Sequence, residues 1–266
     1  MARLFRDRIA AAALQKKSRI VLAIDPPPCS NQDNNNDNSD IIGFAEKTIE
    51  LVQEHVCAIK INFHMILPLS GAELSGISRL AHSHGLQCIA DIKLNDIENT
   101  NDVAVDYLVG RMGFDSVIVN PFIGEGALQS LVKRARQAGA DDDNNAVGGG
   151  GGIIALVYMS HPGAGEGFGL ELEGKRALFR EFLERALRAG TDGIVVGANR
   201  LALIKEAAGR LPIYSPGIGV QGGDAVAAAQ SGSDYLIVGR SIIEAKDPLA
   251  AARELREKIS AAVVRN

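Results

Sequence analysis

The chain has 266 residues and 46% of them are hydrophobic, so it can bury a large core and is not a disordered protein. Its formal net charge of −4 argues against a nucleic-acid partner, which would require a basic surface. A small anionic ligand remains compatible with this charge, because a few local cations are enough to bind one.

The N-terminus, Met-Ala-Arg-Leu-Phe-Arg-Asp-Arg, has no apolar signal core, and no apolar run in the sequence is long enough to cross a bilayer. The three cysteines, Cys29, Cys57 and Cys88, have no Cys-x-x-Cys spacing. Two of them lie in apolar runs, where buried free thiols in a reducing compartment are expected. These features predict a cytoplasmic protein.

Short apolar runs alternate with longer amphipathic ones along the whole chain. The short runs predict eight strands, most of them continuously apolar, as expected of parallel strands covered on both faces. Between them apolar residues recur at helical spacing, and the last helix is predicted to follow an Asp247 cap with Pro248 at its first position. The predicted strands are residues 19–25, 56–62, 87–93, 115–120, 153–159, 193–197, 212–215 and 234–239.

Eight strands alternating with helices predict a single-domain (β/α)8 TIM barrel, an α/β fold. The alternative, a doubly wound sheet, would carry phosphate-binding glycines after its first strand, whereas here Asp25 is followed by three prolines. Two low-complexity segments near residues 29–40 and 141–152 are rich in Asn, Asp and Gly and are predicted to be surface insertions. We favour a solvated loop over a cation site for their aspartates, since cation sites need ligands at defined turns.

The sequence Asp91-Ile92-Lys93-Leu94-Asn95-Asp96 at the end of the third strand is the main candidate for chemistry. Side chains alternate along a strand, so Asp91 and Lys93 are predicted to face the same way, over the top of the barrel. Lys60 ends the second strand, and adjacent parallel strands lie about 4.8 Å apart, which puts it beside this pair.

Four charges of alternating sign at the ends of two adjacent strands are costly to desolvate. A purely structural ion-pair network is one interpretation, but apolar residues often serve as well at such positions. We favour a preorganised electrostatic site that holds a cation where negative charge develops during a reaction.

A second pattern follows the seventh and eighth strands, where barrel enzymes commonly bind phosphate. Ser215-Pro216-Gly217-Ile218-Gly219-Val220-Gln221-Gly222-Gly223 supplies glycines whose backbone N–H groups can approach an anion. Gly239-Arg240-Ser241 supplies a guanidinium that can donate two parallel hydrogen bonds to phosphate. Two ordinary strand-to-helix turns are the alternative, and the combination favours a phosphorylated ligand.

The segment Met159-Ser160-His161-Pro162-Gly163 follows the fifth strand, where the Ser160 hydroxyl can reach a ligand. His161 is as compatible with an ordinary loop residue as with a catalytic one, and we assign it no catalytic role. The sequence has no zinc-type His/Cys spacing, no nucleophile elbow and no P-loop, so we expect neither a metal nor another cofactor.

In this order and on these strands, the motifs resemble those of orotidine 5′-monophosphate decarboxylases of the compact microbial and archaeal type. The resemblance runs from Asp25 to Arg240. Its most specific parts are Asp91-x-Lys93-x-x-Asp96-Ile97, Met159-Ser160-His161-Pro162-Gly163, Ser215-Pro216-Gly217-x-Gly219-x-Gln221-Gly222-Gly223 and Gly239-Arg240-Ser241. It implies cofactor-independent decarboxylation of orotidine 5′-monophosphate to UMP in pyrimidine biosynthesis.

The resemblance also implies a role for each matching residue. Lys93 would stabilise and protonate the C6 carbanion beside Asp91. The ribose would contact Asp25 and Lys60, and the pyrimidine would contact Ser160 with Ile97 and Pro216 in the pocket wall. The 5′-phosphate would be held by Gln221, Gly239 and Arg240.

A homodimer is also implied, in which Asp96 and Thr100 reach into the neighbouring site. The sequence departs from the family at this point, because Glu98-Asn99-Thr100 stands where Pro-Glu-Thr is expected. Glu98 therefore puts the entry into the following helix, and with it the role of Thr100, in question.

Two other functions compete with this one. Magnesium-dependent sugar-phosphate enzymes of the same barrel group share the Asp-x-Lys-x-x-Asp motif but carry a carboxylate where this chain has Lys60, and a cation there would repel Mg²⁺. A non-catalytic nucleotide-binding barrel is the second alternative. The complete set of Lys60, Asp91, Lys93 and Asp96 argues against it.

Overall fold

Eight parallel strands close into a barrel in the computed structural model, which describes residues 3–25, 38–138, 149–174, 176–219 and 221–263. Each strand pairs with the next along the chain, and the last pairs with the first. The predicted TIM barrel is thereby confirmed, with all eight strands at the predicted places. They are β1 (Ile20–Ile24), β2 (Ala58–Asn62), β3 (Gln87–Leu94), β4 (Ser116–Val119), β5 (Gly152–Tyr158), β6 (Gly193–Val196), β7 (Ile213–Ser215) and β8 (Tyr235–Val238).

Helices surround the barrel, and side chains cap the N-termini of some of them. Ser70 and Glu73 form a reciprocal capping box, and the Asp224 carboxylate accepts hydrogen bonds from two N–H groups of the next turn. The longer helices are Phe5–Lys16, Ser39–Val52, Gly71–Ser83, Glu98–Val105, Glu125–Ala138, Leu178–Ala189 and Pro248–Val263. The shorter helical segments are Phe63–Ile66, Asp106–Arg111, Pro121–Ile123, Ala164–Phe168, Leu201–Ala207, Ala225–Gln230 and Arg240–Ile243. Outside the barrel, Glu171–Leu172 pairs with Arg176–Ala177 as an antiparallel ribbon.

A Gly-x-Asp sequence precedes three of the four even-numbered strands and fixes how the chain enters the barrel. Each glycine has a positive φ, which only glycine adopts at little cost, and each aspartate accepts a hydrogen bond from a backbone N–H near the start of the preceding strand. The glycines are Gly113 (φ 76°), Gly190 (φ 69°) and Gly232 (φ 107°). The hydrogen bonds run from Cys88 N to Asp115 (2.7 Å), from Ile153 N to Asp192 (3.1 Å) and from Ile213 N to Asp234 (2.8 Å).

A buried polar network ties the first helix to the N-terminal ends of β3, β4 and β5. Arg8 Nη2 lies 3.1 Å from Asp115 Oδ1, and Arg8 Nε donates to the Gln87 side chain. The other carboxylate oxygen of Asp115 is 2.8 Å from His82 Nε2. Because Arg8 and Asp115 are both almost fully buried, each depends on the other to compensate its lost hydration.

The prediction of a surface insertion is wrong for the glycines at residues 149–152. All four are buried, and Gly152 begins β5, whereas the sequence suggested a solvated surface loop over 141–152. A Cβ at Gly152 would lie 2.6 Å from the Phe5 side chain, and one at Gly151 would lie 2.6 Å from Val109. The close approach of Phe5 and Val109 therefore requires glycine at these two positions, which composition alone cannot reveal.

The remaining parts of the two predicted insertions, 26–37 and 139–148, lie outside the described residues, as does Cys29. The end of the first segment differs from the prediction, because Ser39 and Asp40 form the first turn of a helix. Cys57 and Cys88 are buried free thiols, as expected, and burial raises the pKa of Cys57 to about 12. None of the helices in the described part of the chain combines the length and apolarity needed to span a bilayer.

Candidate active site

A cavity of about 240 Å³ opens at the C-terminal ends of the barrel strands. Its polar lining comes from the ends of β1, β2 and β3 on one side and from the loops after β5, β7 and β8 on the other. The charged and polar residues are Asp25, Lys60, Asn62, Asp91, Lys93, Ser160, His161, Gln221 and Arg240, together with Pro216, Gly217 and Gly239. This is the end of the barrel at which (β/α)8 enzymes bind their substrates.

One carboxylate holds two lysine ammonium groups at the mouth of the barrel. Asp91 Oδ2 is 2.9 Å from Lys60 Nζ, and Asp91 Oδ1 is 2.8 Å from Lys93 Nζ. Burial by itself raises the pKa of Asp91, but the two ammonium groups outweigh burial and hold the pKa below its ordinary value. Asp91 is therefore an anion that fixes both cations in place.

Lys93 reaches this position through an unusual backbone. Its φ is +48°, in the left-handed region, and the pairing of β3 with β4 shifts between Ala90 and Leu94. The prediction that Asp91 and Lys93 meet is correct, but regular strand alternation does not continue through Lys93. Left-handed backbone costs a residue with a side chain about 1–2 kcal/mol, which the surrounding contacts must offset.

Asn62 connects this charged group to β1, although none of the sequence motifs includes it. Its amide oxygen accepts a hydrogen bond from Lys60 Nζ, and its amide nitrogen donates one to Asp25 Oδ1. Asp25 Oδ1 is also 3.8 Å from His64 Nε2. The alternation of side chains along β2 could have revealed Asn62, because it lies two residues after Lys60 on the same face.

The floor of the cavity is apolar. It is formed by inward-facing residues of five strands, all almost fully buried: Ala23, Ile118, Leu156, Val195 and Ile237. Charges above such a floor interact more strongly than in water, because little solvent can screen them.

On the opposite wall, the loop after β5 contacts the loop after β7. Ser160 Oγ donates a 2.6 Å hydrogen bond to Gln221 Oε1. Gly217 has a φ of +90°, and a Cβ there would lie 2.7 Å from Ser160 Cβ, so only glycine fits between the two loops.

The loop after β8 lies beside β1 and completes the lining of the cavity. A Cβ on Gly239 would lie 3.6 Å from Asp25 Oδ2, so the backbone at Gly239 passes close to this carboxylate. Arg240 is exposed at the rim with its side chain lining the cavity. Cationic and glycine-rich groups thus gather at one side of the cavity, as phosphate binding requires.

Three predicted site residues, Asp96, Ile97 and Thr100, do not line the cavity of the single chain. All three are exposed, and the Ile97 side chain retains 73% of its accessible surface. Asn101 holds this loop, since its side chain exchanges hydrogen bonds with the backbone N–H and C=O of Asp96. The helix begins normally at Glu98, where an acidic residue is favourable.

The model of the orotidine 5′-phosphate decarboxylase / HUMPS family matches residues 18–255. The chain belongs to this family. It is 37% identical over 219 residues to the orotidine 5′-phosphate decarboxylase of Pyrococcus abyssi, covering 81% of this chain and 92% of that protein. The resemblance inferred from the motifs is confirmed, and with it the expectation that the chain is an enzyme of this family.

Two crystal structures of orotidine 5′-phosphate decarboxylases match the barrel over most of its length. The one from Pyrococcus horikoshii is 32% identical with a TM-score of 0.66, covering 90% of this chain and 98% of that chain. The one from Methanocaldococcus jannaschii, complexed with the inhibitor BMP, is 26% identical with a TM-score of 0.69, covering 91% and 98%.

The cavity contains nine of the twelve site residues that were predicted from the sequence. The three that it lacks are Asp96, Ile97 and Thr100. It also includes residues that the sequence motifs left without a role. Besides Asn62 and the five apolar floor residues, these are His161, which lies at the rim, and the apolar Met159 and Ile218.

Proposed function

We propose that this enzyme decarboxylates orotidine 5′-monophosphate to UMP without a cofactor, in pyrimidine biosynthesis and in the cytoplasm. The observation that carries the proposal is the Lys93 ammonium at the cavity, 2.8 Å from a carboxylate that also binds Lys60, above an apolar floor. Loss of CO₂ from C6 of the pyrimidine leaves an electron pair on a ring carbon with no adjacent electron sink. A fixed cation is what such an anion requires.

In the proposed reaction, the substrate carboxylate lies beside Asp91 and the C6 atom faces Lys93. The C6–carboxylate bond breaks, its electron pair stays on C6, and CO₂ departs. Lys93 Nζ stabilises this carbanion and then transfers a proton to C6, which gives UMP. Lys93 regains a proton from solvent before the next turnover.

The Lys93 charge cannot supply the whole rate acceleration. One close charge pair at an effective dielectric near 20 contributes about 4 kcal/mol, whereas enzymes typically lower barriers by about 8–23 kcal/mol. Binding of the distant parts of the nucleotide must therefore contribute through positioning.

Those distant parts match the remaining polar groups of the cavity. We assign Asp25 and Lys60 to the ribose hydroxyls, and Ser160 and Pro216 to the pyrimidine. Gln221, Gly239 and Arg240 would hold the 5′-phosphate. The inhibitor BMP bound by the relative from M. jannaschii supports a nucleotide ligand for this site.

The proposed enzyme is a homodimer in which Asp96, Thr100 and Ile97 complete the neighbouring site. Their exposure in the single chain supports this assignment. So do the large apolar side chains exposed on the segments that follow β2 and β3: Phe63, Leu67, Ile97, Val103 and Tyr107. Surface this apolar favours burial against a partner.

A mixing experiment tests the shared site. Lys93→Ala and Asp96→Ala should each be inactive, and co-refolding the two should restore part of the activity, because mixed dimers regain one intact site. Absence of recovery in dimers shown to be mixed would contradict the shared site.

The magnesium-dependent sugar-phosphate enzymes remain the alternative within the barrel group. Lys60 Nζ occupies the position where they need a carboxylate, and it is already committed to Asp91. The deciding experiment is a spectrophotometric assay of orotidine 5′-monophosphate loss with and without EDTA. Equal rates are expected, whereas activity abolished by EDTA would favour the alternative, and UMP binding without turnover would indicate a non-catalytic barrel.

A further inference from the structure

Asn62, the last residue of β2, stands between two charged groups that do not pair directly with each other. Lys60 Nζ donates to its side-chain oxygen, and its side-chain nitrogen donates to Asp25 Oδ1. A continuous chain of contacts thus runs from Asp25 through Asn62, Lys60 and Asp91 to Lys93.

The chemistry of the two neighbours dictates the residue type between them. An ammonium has only donors and a carboxylate has only acceptors, so the residue that joins them must accept on one side and donate on the other. A primary amide does this with one orientation, with its oxygen toward Lys60 and its nitrogen toward Asp25. A carboxylate at position 62 would instead oppose Asp25, and an aliphatic side chain would remove the link between the two groups, leaving Lys60 with Asp91 as its remaining partner.

We infer that Asn62 is a positioning residue that aligns Asp25 and Lys60 for the ribose of the substrate. The inference rests on the proposed function, which assigns these two charged groups to the ribose hydroxyls. Asn62 acts through Asp25 and Lys60, and it is not itself assigned to the reacting atoms. Its contribution therefore belongs to nucleotide binding and to the fraction of bound substrate that is correctly placed.

The first test compares Asn62→Leu with the unmodified protein on two substrates, orotidine 5′-monophosphate and its 2′-deoxy analogue. With the natural substrate, kcat/KM should fall about 10- to 100-fold, the scale of a modest misplacement. With the 2′-deoxy analogue, kcat/KM should fall by at most about 3-fold. The 2′-hydroxyl, whose contact Asn62 would align, is already absent from this analogue. Equal losses on both substrates, or no loss, would overturn the inference.

The second test uses Asn62→Asp and its pH dependence. When protonated, the aspartic acid offers one O–H donor and one carbonyl acceptor, as the amide does, so its activity relative to the unmodified protein should rise as the pH falls from 8 toward 5. The charged or titratable groups around position 62 are Lys60, Asp25, the exposed His64 and, opposite it on β3, Asp91. Taking the ratio to the unmodified protein at each pH removes the titration that the two proteins share. A ratio that does not change with pH would contradict the inference.

Asn120→Asp is the matched control. Asn120 follows β4 and its side-chain oxygen accepts the Phe122 N–H, a role that a carboxylate retains. It adds the same charge at the same end of the barrel and should leave activity and its pH dependence unchanged. Thermal unfolding of every variant checks that the fold is intact.

Ligand affinity separates failure of this inference from failure of the proposed function. If the unmodified protein does not decarboxylate orotidine 5′-monophosphate, the proposed function fails by itself. Titration calorimetry with UMP and 2′-deoxy-UMP then still tests Asn62. Asn62→Leu should weaken UMP binding more than binding of the deoxy nucleotide, and equal weakening would overturn the role of Asn62.

Discussion

Lys93 Nζ lies 2.8 Å from Asp91 Oδ1 even though the Lys93 backbone has left the strand geometry on which Asp91 lies. The φ of +48° is unfavourable for lysine, and an ordinary strand residue would avoid it. The strained backbone and the ion pair occur at the same residue, which faces the cavity. Such strain is typical of groups held in one position for chemistry.

Replacing Lys93 with alanine should reduce kcat by about 1,000-fold or more, since the proposed mechanism loses the fixed charge that stabilises the carbanion. UMP binding should persist, because we assign the phosphate and ribose contacts to other residues. A steady-state assay and titration calorimetry with UMP measure the two effects. Turnover near that of the unmodified protein would remove Lys93 from the mechanism.

Stability offers a separate check of the Lys93 backbone. At a regular strand position, a glycine variant of a protein is less stable than the alanine variant. At a position with a positive φ the order reverses. Lys93→Gly should therefore unfold at higher urea than Lys93→Ala, by about 1 kcal/mol in free energy of unfolding. The opposite order would indicate that position 93 keeps ordinary strand geometry.

Arg240→Ala should raise KM for orotidine 5′-monophosphate by about 10- to 100-fold, because the proposed charged hydrogen bond to phosphate is lost. The effect on kcat should be smaller, since Arg240 is not assigned to the reacting atoms. Lys246→Ala removes an exposed cation from the same part of the chain and should change neither constant. An unchanged KM for Arg240→Ala would exclude Arg240 from the phosphate site.

Arg8→Ala should lower the free energy of unfolding by about 3 kcal/mol, because Asp115 would stay buried with one charged partner fewer. Urea unfolding followed by circular dichroism measures this change. The control is Arg180→Ala, whose ion pair with Glu206 is solvent-exposed and should contribute little. Similar small effects for both variants would contradict a stabilising role for the buried polar network at the N-terminal ends of the strands.

Asp192 should make stability depend on pH. Burial raises its pKa despite the hydrogen bond from Ile153 N and the nearby arginines, so the folded state holds its proton more tightly than the unfolded state. Stability should therefore fall as pH rises above the unfolded pKa of about 4, until the folded carboxyl has ionised. Asp192→Asn keeps an acceptor for Ile153 N–H and should gain stability over the unmodified protein across this window.

Urea unfolding at several pH values between 4 and 8 measures that gain. Asp115→Asn is the matched control, because Asp115 has an arginine partner at 3.1 Å and should lose stability at pH 7 when its charge is removed. A gain for Asp192→Asn that is the same at every pH would contradict the assignment to its ionisation.

The sequence by itself determined the eight strands, the barrel they form and the family. These features are encoded locally: continuous apolar runs specify buried parallel strands, and charged or glycine-rich residues directly after them mark the catalytic end. The approximate neighbourhood of Lys60, Asp91 and Lys93 followed as well, because strand order and strand spacing fix it.

Only the tertiary structure decided the features that depend on contacts between distant segments. The glycines at 149–152 are buried because the first helix and the helical segments that precede β4 and β5 pack on them, and Arg8 donates to the carbonyl of Gly150 from 142 residues away. The left-handed backbone of Lys93 and the Asn62 contact with Asp25 likewise arise from packing across strands. Local pattern specifies which face a side chain takes, but the partner it meets there depends on how the barrel closes.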